Sequence, residues 1–555
     1  GEMLWGATPP PVPHAPSDTP SDAERAMKDV AEEEGPKPLE VDYLVIGAGV
    51  RGLAFVDALL TQAEAMRRKL VVAVVEERDM PGGHWNDVYT FARLHQPGVY
   101  YGVPSRSFGM YEKAVRREPA HRPKLEEVLS YYADLVEDLE SAGKVRFFPM
   151  CYASADGSKI TSRTDKDKSW QVIVKCKVVN SAYLGVESPQ IRPPPFSAKA
   201  GALLVPPGWI TTMRRPYPKY VVIGAGRTGI DTVTWLISRG VRAERIHWVV
   251  PRDAWFFSRE AFEPSKVGRT WKTFLQLASA STPPQHRQSV EPQPVVKPQP
   301  WWAPAQSTLT HLCLALEKAG IWCRVDQGRW PETFHGAFVS EEELEYLRRV
   351  ESVVRMGHVK HVAIDAVHLE AGTYATGPDT LHIDCAGSWE TSSPRPVPVW
   401  AGKSVTLQQV QEVAGMAGGF NVPFAAAFIG FVEALLPGNE KDKNDLCTAA
   451  RLPDGVAGWF EAQLHSLQCK ALWEHEGVAK WLQRTSLSFF ASMTHQELQE
   501  IAGEAARPLR IRAARNLEVL LWNDARSDAL HGDSSPAITP WTAGGSGGVG
   551  IGDNE

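Results

Sequence analysis

The sequence contains no C-x-x-C pair. Its seven cysteines (Cys151, Cys176, Cys313, Cys323, Cys385, Cys447 and Cys469) are dispersed and odd in number, which fits neither a disulfide framework nor a zinc site and reads as reduced thiols of a cytoplasmic protein. The same absence excludes the paired thiol that a disulfide reductase needs. None of the 16 histidines stands in an H-E-x-x-H or comparable spacing, so no metal centre is expected. Neither sign of charge dominates. With 59 basic against 65 acidic residues and a formal net charge of −6, there is no electrostatic case for nucleic acid or an anionic membrane as partner. An unbroken apolar run is missing too: Phe420 to Leu436 carries Asn421, Pro423 and Glu433 and is expected to be a buried helix rather than a span. No secretory signal pattern is read at the start.

What is present is ample material for folded cores. The 555 residues are 43% hydrophobic and 22% charged, the balance of a globular protein with several domain-sized units. Three segments stand apart by composition. Residues 1–38, rich in Pro, Ser, Asp and Glu, are expected to be disordered. Residues 279–306 form a Pro-rich insertion, and residues 536–555 a glycine-rich flexible tail. Residues 451–535 have helical character, with a capping-box pattern at Thr494 and Glu497.

Two strand–glycine-loop–helix patterns lie between these segments. In the first, Tyr43-Leu-Val-Ile runs into Gly47-Ala-Gly49-Val-Arg-Gly52 and then an apolar helical stretch. A lone G-x-G-x-x-G is weak evidence, but a strand before it and a helix after it supply the context the motif requires. Gly47 permits the tight turn, Gly49 lets backbone approach a pyrophosphate, and Gly52 lets helix and strand pack closely. The helix N-terminus then faces the phosphates. A second apolar strand, Leu70-Val-Val-Ala-Val-Val, ends in Glu76 and Glu77; Glu76, ahead of Glu77, is expected to accept hydrogen bonds from a ribose.

The next residues, Met80-Pro-Gly82-Gly83-His-Trp85, complete an E-x5-G-G-x-W pattern counted from Glu76. This pattern resembles the flavin-containing monooxygenase and Baeyer–Villiger monooxygenase superfamily. The resemblance spans about residues 40–450 and implies FAD on the first glycine loop, with Gly83 and Trp85 in the cofactor site. The continuation Arg93-Leu-His95-Gln96-Pro looks like a subgroup with an L-H-Q-P loop, which the resemblance places near the flavin ring. His95 and Gln96 are therefore candidate catalytic residues; a purely structural loop is the alternative.

The second pattern is Tyr220-Val-Val-Ile followed by Gly224-Ala-Gly226-Arg-Thr-Gly229. Its following strand ends in Arg252 where an NAD site would place an acid. A guanidinium there suits a ribose 2′-phosphate, which favours NADPH; stacking on Trp255 or pairing with Asp253 is the alternative. The resemblance implies an α/β architecture of two Rossmann-like dinucleotide-binding domains, the NADPH domain inserted in the FAD domain, plus a C-terminal helical layer. The expected bounds are 39–205 for the first part of the FAD domain, 206–357 for the NADPH domain and 358–450 for the second part of the FAD domain. Leu381-His-Ile-Asp384 is read as the return strand, with Asp384 near the FAD pyrophosphate. Tyr374-Ala-Thr-Gly377 is read as a hairpin turn.

The chain departs from the superfamily in two places. The F-x-G-x-x-x-H fingerprint is replaced by Phe196-Ser-Ala-Lys-Ala-Gly, and Asn180-Ser-Ala-Tyr-Leu-Gly185 stands where an A-T-G is usual. These departures bear on the reaction rather than the cofactors. The expectation is hydride transfer from NADPH to FAD, O2 activation at flavin C4a and oxygen transfer to a small-molecule substrate, with N- or S-oxygenation favoured over ketone oxidation. An NADPH oxidase, a flavin reductase serving a partner, and a flavin-bound sensor remain open alternatives.

Overall fold

A computed structural model describes residues 37–531 apart from 109–120, 186–187, 282–307, 388–394, 415–421, 437, 452, 454 and 470–474. The expected disordered N-terminal segment (to residue 36), nearly all of the Pro-rich insertion and the glycine-rich tail lie outside the described residues.

In chain order the first unit comprises β1 (Leu39–Ile46), α1 (Val50–Ala65), β2 (Val72–Val75), α2 (Leu125–Ser141), β3 (Val145–Phe148) and β4 (Ser169–Asn180). All four residues of β2 are buried, as a Val/Ala run in a parallel sheet covered on both faces must be. The second unit begins with β5 (Ser197–Ala198), β6 (Leu204–Val205), β7 (Lys219–Ile223), α3 (Arg227–Ser238), β8 (Ile246–Val249) and β9 (Ala254–Ser258). It continues through α4 (Val267–Ala280), β10 (Trp322–Cys323), β11 (Thr333–Val339), α5 (Glu341–Arg348) and β12 (Ser352–Val354). A meander follows, β13 (Val359–Val362), β14 (Ala366–Leu369) and β15 (Gly372–Ala375), and then β16 (Thr380–Asp384). The chain ends through β17 (Trp400–Ala401), β18 (Ser404–Thr406), α6 (Val422–Leu435), α7 (Gly455–Gln468), α8 (Glu476–Arg484), α9 (His495–Ile501) and α10 (Arg507–His531).

Two mainly parallel sheets organise these elements. The first has the order β17–β18–β4–β1–β2–β3, with the hairpin Cys151–Ala153 and Lys159–Ser162 appended to β4. The second has the order β6–β16–β7–β8–β12. The chain leaves the first sheet after β4 and re-enters it at β18, parallel to β4, so the second unit is inserted in the first. The strand Leu381–Asp384, expected as the return to the first unit, belongs instead to the second sheet. There β16 pairs in parallel with β6 and β7, and all five of its residues are buried. An apolar strand ending in an acid and a glycine suits any central parallel strand, so the pattern alone could not say which sheet it joins. The second unit therefore extends past residue 357 to β16, and the return is made by β17 and β18.

The apolar segment around residues 420–436 is a buried helix: every residue of α6 from Pro423 to Ala434 is buried, and Phe420 and Asn421 lie outside the described residues. It packs on α1 closely enough that a Cβ added to Gly430 would lie 2.5 Å from the carbonyl of Phe55. Thr494 caps α9 through the expected box with Glu497. The C-terminal helices close over the sheet β10–β9–β11, where Trp322 stacks on Phe334 (4.7 Å between ring centres) and meets Trp459 edge-on (5.1 Å). The Tyr374–Gly377 segment ends the β14–β15 hairpin: Thr376 and Gly377 N–H groups both donate to the Asp365 carbonyl.

Candidate functional site

The first glycine loop is built by close backbone approaches. Gly47 sits at φ +102°, a region that favours glycine, and a Cβ on it would lie 2.5 Å from Ser181 Oγ. A Cβ on Gly52 would lie 2.1 Å from the Gly47 carbonyl. Gly83 packs directly on Gly49, since a Cβ added to Gly83 would come within 2.7 Å of the Gly49 Cα. The Gly82 N–H donates to the Ala48 carbonyl at 2.9 Å, so the G-G-x-W turn docks onto the glycine loop. Sequence reasoning missed Ser181, the residue after β4. Its hydroxyl donates to the Ile46 carbonyl (2.6 Å), with the Gly47 carbonyl 3.0 Å away, bracing the loop from below.

Glu76, at the end of β2, is 2% exposed and turned toward this loop: Oε2 accepts from the Ala48 N–H at 2.8 Å. Its other oxygen accepts from the Arg78 N–H (3.2 Å) and guanidinium (3.1 Å). Glu77 is half exposed and pairs with Arg78 at 2.9 Å. Of the two acids, Glu76 is therefore the one presented to the glycine loop.

Helix α1 starts at Gly49 with no side-chain cap and no acid in its first turn. Its leading N–H groups are thus left for an anion, and the helix dipole favours one there. Around this terminus stand Arg51, His84, Trp85 and Tyr101. Trp85 Nε1 donates to Tyr101 Oη at 2.6 Å. Arg51 donates to the Leu184 carbonyl at 2.7 Å, while its buried Nε meets no acceptor among the described residues. Desolvation brings the Arg51 guanidinium down to about 10. His84 is exposed in surface terms, yet desolvation and the charges of Arg51 and Arg78 push its imidazole down to about 4. The orphaned Arg51 Nε, the glycine cradle and the uncapped helix fit the pyrophosphate of a dinucleotide.

The second loop repeats the plan. Gly224 (φ +116°) would place a Cβ 2.6 Å from the Cys385 carbonyl, and Gly229 would place one 2.1 Å from the Gly224 carbonyl. A Cβ on Gly226 would meet nothing within 4 Å, so this position opens outward from the loop. Helix α3 begins at Gly226, again without a side-chain cap or an acid in the first turn. Beside it lies a shallow cleft lined by Ala225 of the loop, Trp248, Val250, Asp253, Arg324, Asp326 and Arg355. Arg355 bridges Asp253 (2.8 Å) and Asp326 (3.0 Å), and Arg324 lies over the Trp255 ring at 5.2 Å. Asp253 thus pairs with Arg355, and the Trp255 ring carries Arg324. Arg252 itself is half-buried just after β8 and does not line this cleft. Arg324 and Arg355 were not legible in the sequence, since no spacing ties them to the glycine motif.

Asp384 requires a correction. In-register pairing with Ile223 sets it at the second glycine loop, not at the FAD loop where it was expected. It is 2% exposed, burial pushes its carboxyl up, Oδ1 accepts from the Ala386 N–H at 3.0 Å, and Oδ2 meets no donor among the described residues.

The L-H-Q-P loop lies where the two units meet. The Phe338 N–H on β11 donates to His95 Nδ1 at 3.3 Å, and Arg259 Nε donates to the His95 carbonyl at 2.8 Å. Desolvation, with Arg227, Arg259 and Arg122 nearby, pushes the His95 imidazole down to about 3. His95 is therefore neutral, with its proton on Nε2. Gln96 Oε1 is buried without a partner among the described residues. Behind the loop, Glu343 takes Arg227 (2.7 Å), Arg259 (2.6 Å) and Arg122 (3.4 Å), while Asp231 accepts from Tyr89 Oη at 2.7 Å and pairs with Arg227. Burial alone would raise the Glu343 carboxyl, but the guanidinium groups hold it well below the usual carboxylate range. Residues 89–95 of the first unit are thereby clamped to α3, α5 and β11 of the second.

Among the described residues no group of three or more His, Cys, Asp or Glu side chains is arranged to hold a metal ion. No described helix is long and apolar enough to cross a membrane.

Fold and site together define a two-unit α/β protein in which each unit carries a strand, a glycine loop and a helix on its own sheet. No family model matches the chain. Over 471 residues it is 32% identical to the uncharacterized proteins Rv2000 of Mycobacterium tuberculosis and Mb2023 of Mycobacterium bovis, covering 83% of this chain and 80% of each relative. The chain belongs to the family of these mycobacterial proteins. Among solved structures it is similar to a cyclohexanone-bound cyclohexanone monooxygenase (14% identity, 80% of this chain and 99% of that one, TM-score 0.42). It is also similar to a polycyclic ketone monooxygenase from the fungus Thermothelomyces thermophila (12% identity, 93% and 94%, TM-score 0.42).

Proposed function

We propose that the first unit binds FAD, the second binds NADPH, and the chain is an NADPH-dependent flavin monooxygenase acting on a small-molecule substrate. The observation that carries this reading is the pair of glycine-started, uncapped helices on two separate sheets, joined by one loop that touches both units. Gly47, Gly49, Gly52 and Gly83 would cradle the FAD pyrophosphate, Glu76 would take the ribose, and Trp85 would wall the cleft. Gly224, Gly226 and Gly229 would hold the NADPH pyrophosphate, with Asp384 beside that loop. Arg252, just after β8, is the candidate for the 2′-phosphate, and Arg324 and Arg355 line the neighbouring cleft.

A bound flavin would supply hydride acceptance from reduced nicotinamide and the activation of O2. The chain's own residues bind, orient and exclude water. His95, held neutral, presents Nε2–H as a donor that keeps its charge state across the working pH range, and Gln96 Oε1 is a buried acceptor with no hydrogen-bond partner among the described residues. Neither residue can act as a proton shuttle near neutrality, so their role is to hold hydrogen bonds at fixed positions. The absent F-x-G-x-x-x-H fingerprint favours oxygenation at nitrogen or sulfur over ketone oxidation.

The test is a product assay. Enzyme loaded with FAD and NADPH is offered amines, sulfides and ketones in air, with products read by mass and peroxide measured in parallel. N- or S-oxides coupled to NADPH consumption support the reading. Peroxide as the sole product would establish an oxidase instead, and lactones from ketones would overturn the N/S preference.

A further inference from the structure

The sheet β15–β14–β13–β5 is separate from the two sheets that carry the glycine loops, and it holds two histidines that the dinucleotide reading leaves unused. His361 on β13 and His368 on β14 are register partners across the antiparallel pair, with ring centres 5.7 Å apart and planes inclined at 32°. Register partners project from the same face of a sheet. Each imidazole is anchored through Nδ1, and from opposite flanks. His361 Nδ1 lies 2.8 Å from Ser197 Oγ on β5, and His368 Nδ1 lies 2.9 Å from Thr373 Oγ1 on β15. Because β5 and β15 are the outer strands, each Nδ1 is engaged by an outer-strand hydroxyl, which leaves Nε2 as the ring nitrogen available to a ligand on each histidine.

The Ser197 hydroxyl is also 3.3 Å from the Lys360 carbonyl, and with its proton given to that carbonyl its oxygen accepts the His361 Nδ1 proton. His361 Nε2 then carries the free lone pair. A histidine that donates its other N–H to a fixed acceptor is the usual form of a metal-ligating histidine.

We infer that His361 and His368 form a two-histidine site for a divalent transition-metal ion of the imidazole-preferring class, with the remaining coordination positions open to solvent. The spacing agrees with this. With a metal–nitrogen bond of about 2.0–2.1 Å and a ring centre about 1.1 Å behind the nitrogen, two imidazoles sharing one ion at tetrahedral to trigonal angles have centres about 5.2–5.6 Å apart. The 5.7 Å observed needs only a small closing movement. His368 is exposed and His361 half-buried, so an ion reaches the pair directly from solvent. Lys360 and Val367, the strand neighbours of the two histidines, point to the other face by the alternation of a strand. Two protein ligands make an exchangeable site rather than a structural one, and binding is strongest for Cu²⁺ by the usual order of divalent affinities.

The experiment is titration of the full chain with Cu²⁺, read by electron paramagnetic resonance for coupled imidazole nitrogens. One Cu²⁺ carrying two imidazole nitrogens is expected. His361→Gln and His368→Gln should each weaken binding by about tenfold or more and leave one coupled nitrogen. Ser197→Ala should weaken it by about tenfold, because the hydroxyl that holds His361 Nδ1 is lost. His358→Gln, at an exposed histidine beside Glu370, should change nothing. His368 is exposed, so its variant folds, and circular dichroism verifies this. Absence of binding, a signal without two imidazole nitrogens, or binding unchanged in either histidine variant would overturn the inference.

Discussion

Replacing Glu343 by Gln removes one negative charge from the joint between the two units while keeping shape and one acceptor oxygen. Glu343 is 6% exposed and receives three guanidinium groups, two of them at 2.6 and 2.7 Å with side chains themselves only 10% and 15% exposed. Solvent screening is weak at this burial. The variant leaves Arg122, Arg227 and Arg259 facing Asp231 as the remaining carboxylate of the cluster. Removing one partner of a buried ion pair costs about 3–5 kcal/mol, and because Gln retains a hydrogen bond, about 3 kcal/mol is expected. The pH dependence follows from the depressed Glu343 carboxyl. A lowered folded value means stabilisation is fully present above the unfolded carboxylate value of about 4.3, and is lost as pH falls through the still lower folded value. Urea unfolding of wild type and Glu343→Gln should therefore show a constant gap between about pH 8 and pH 5 that narrows below about pH 4. Amide exchange should speed up in residues 94–98 and 338–348, the segments that the cluster joins. A variant within about 0.5 kcal/mol of wild type at neutral pH, or a gap that closes between about pH 6 and 8, would refute the clamp.

Gly83→Ala should cut flavin retention by about tenfold or more, because its Cβ would press on the Gly49 Cα at 2.7 Å. Gly402→Ala has the same φ of +57° but open space around it, so it should cost about 1 kcal/mol of stability and leave the flavin-to-protein ratio unchanged. Arg252→Ala should raise the KM for NADPH far more than that for NADH in steady-state assays; equal effects would remove it from the 2′-phosphate role. Burial raises the Glu412 carboxyl to about 7. A raised folded value gives stabilisation that is present below the unfolded value and lost as pH rises through about 7, so Glu412→Gln should unfold at higher urea than wild type at pH 8 and converge with it near pH 4.

Much of the architecture was legible because local patterns fixed it. Each glycine loop followed an apolar strand and opened a helix, and the insertion of one unit in the other was implied by the family resemblance. Glu76 was preferred over Glu77 in the sequence, and in the fold Glu76 accepts from the Ala48 N–H of the glycine loop while Glu77 pairs with Arg78. Asp384 was misassigned for the complementary reason. A buried central strand has the same composition in either sheet, and only the pairing of β16 with β7 decides. Arg324, Arg355 and Glu343 were invisible because their positions are set by long-range packing of β10, β12 and α5 around α3 and β8, not by any spacing from a motif. Ser181 was passed over because it occupies a place where a different motif was sought, although its position at the end of β4 already put it under the loop.

Anaerobic titration of the FAD-loaded chain with NADPH, followed by the visible flavin absorption, tests the two-cofactor account most directly. The expected result is one FAD bound per chain and complete bleaching by one equivalent of NADPH, with Gly83→Ala losing the flavin and Arg252→Ala requiring more NADPH but not more FAD. Failure to bind FAD saturably, or a bound flavin whose absorption NADPH leaves unchanged, would contradict it.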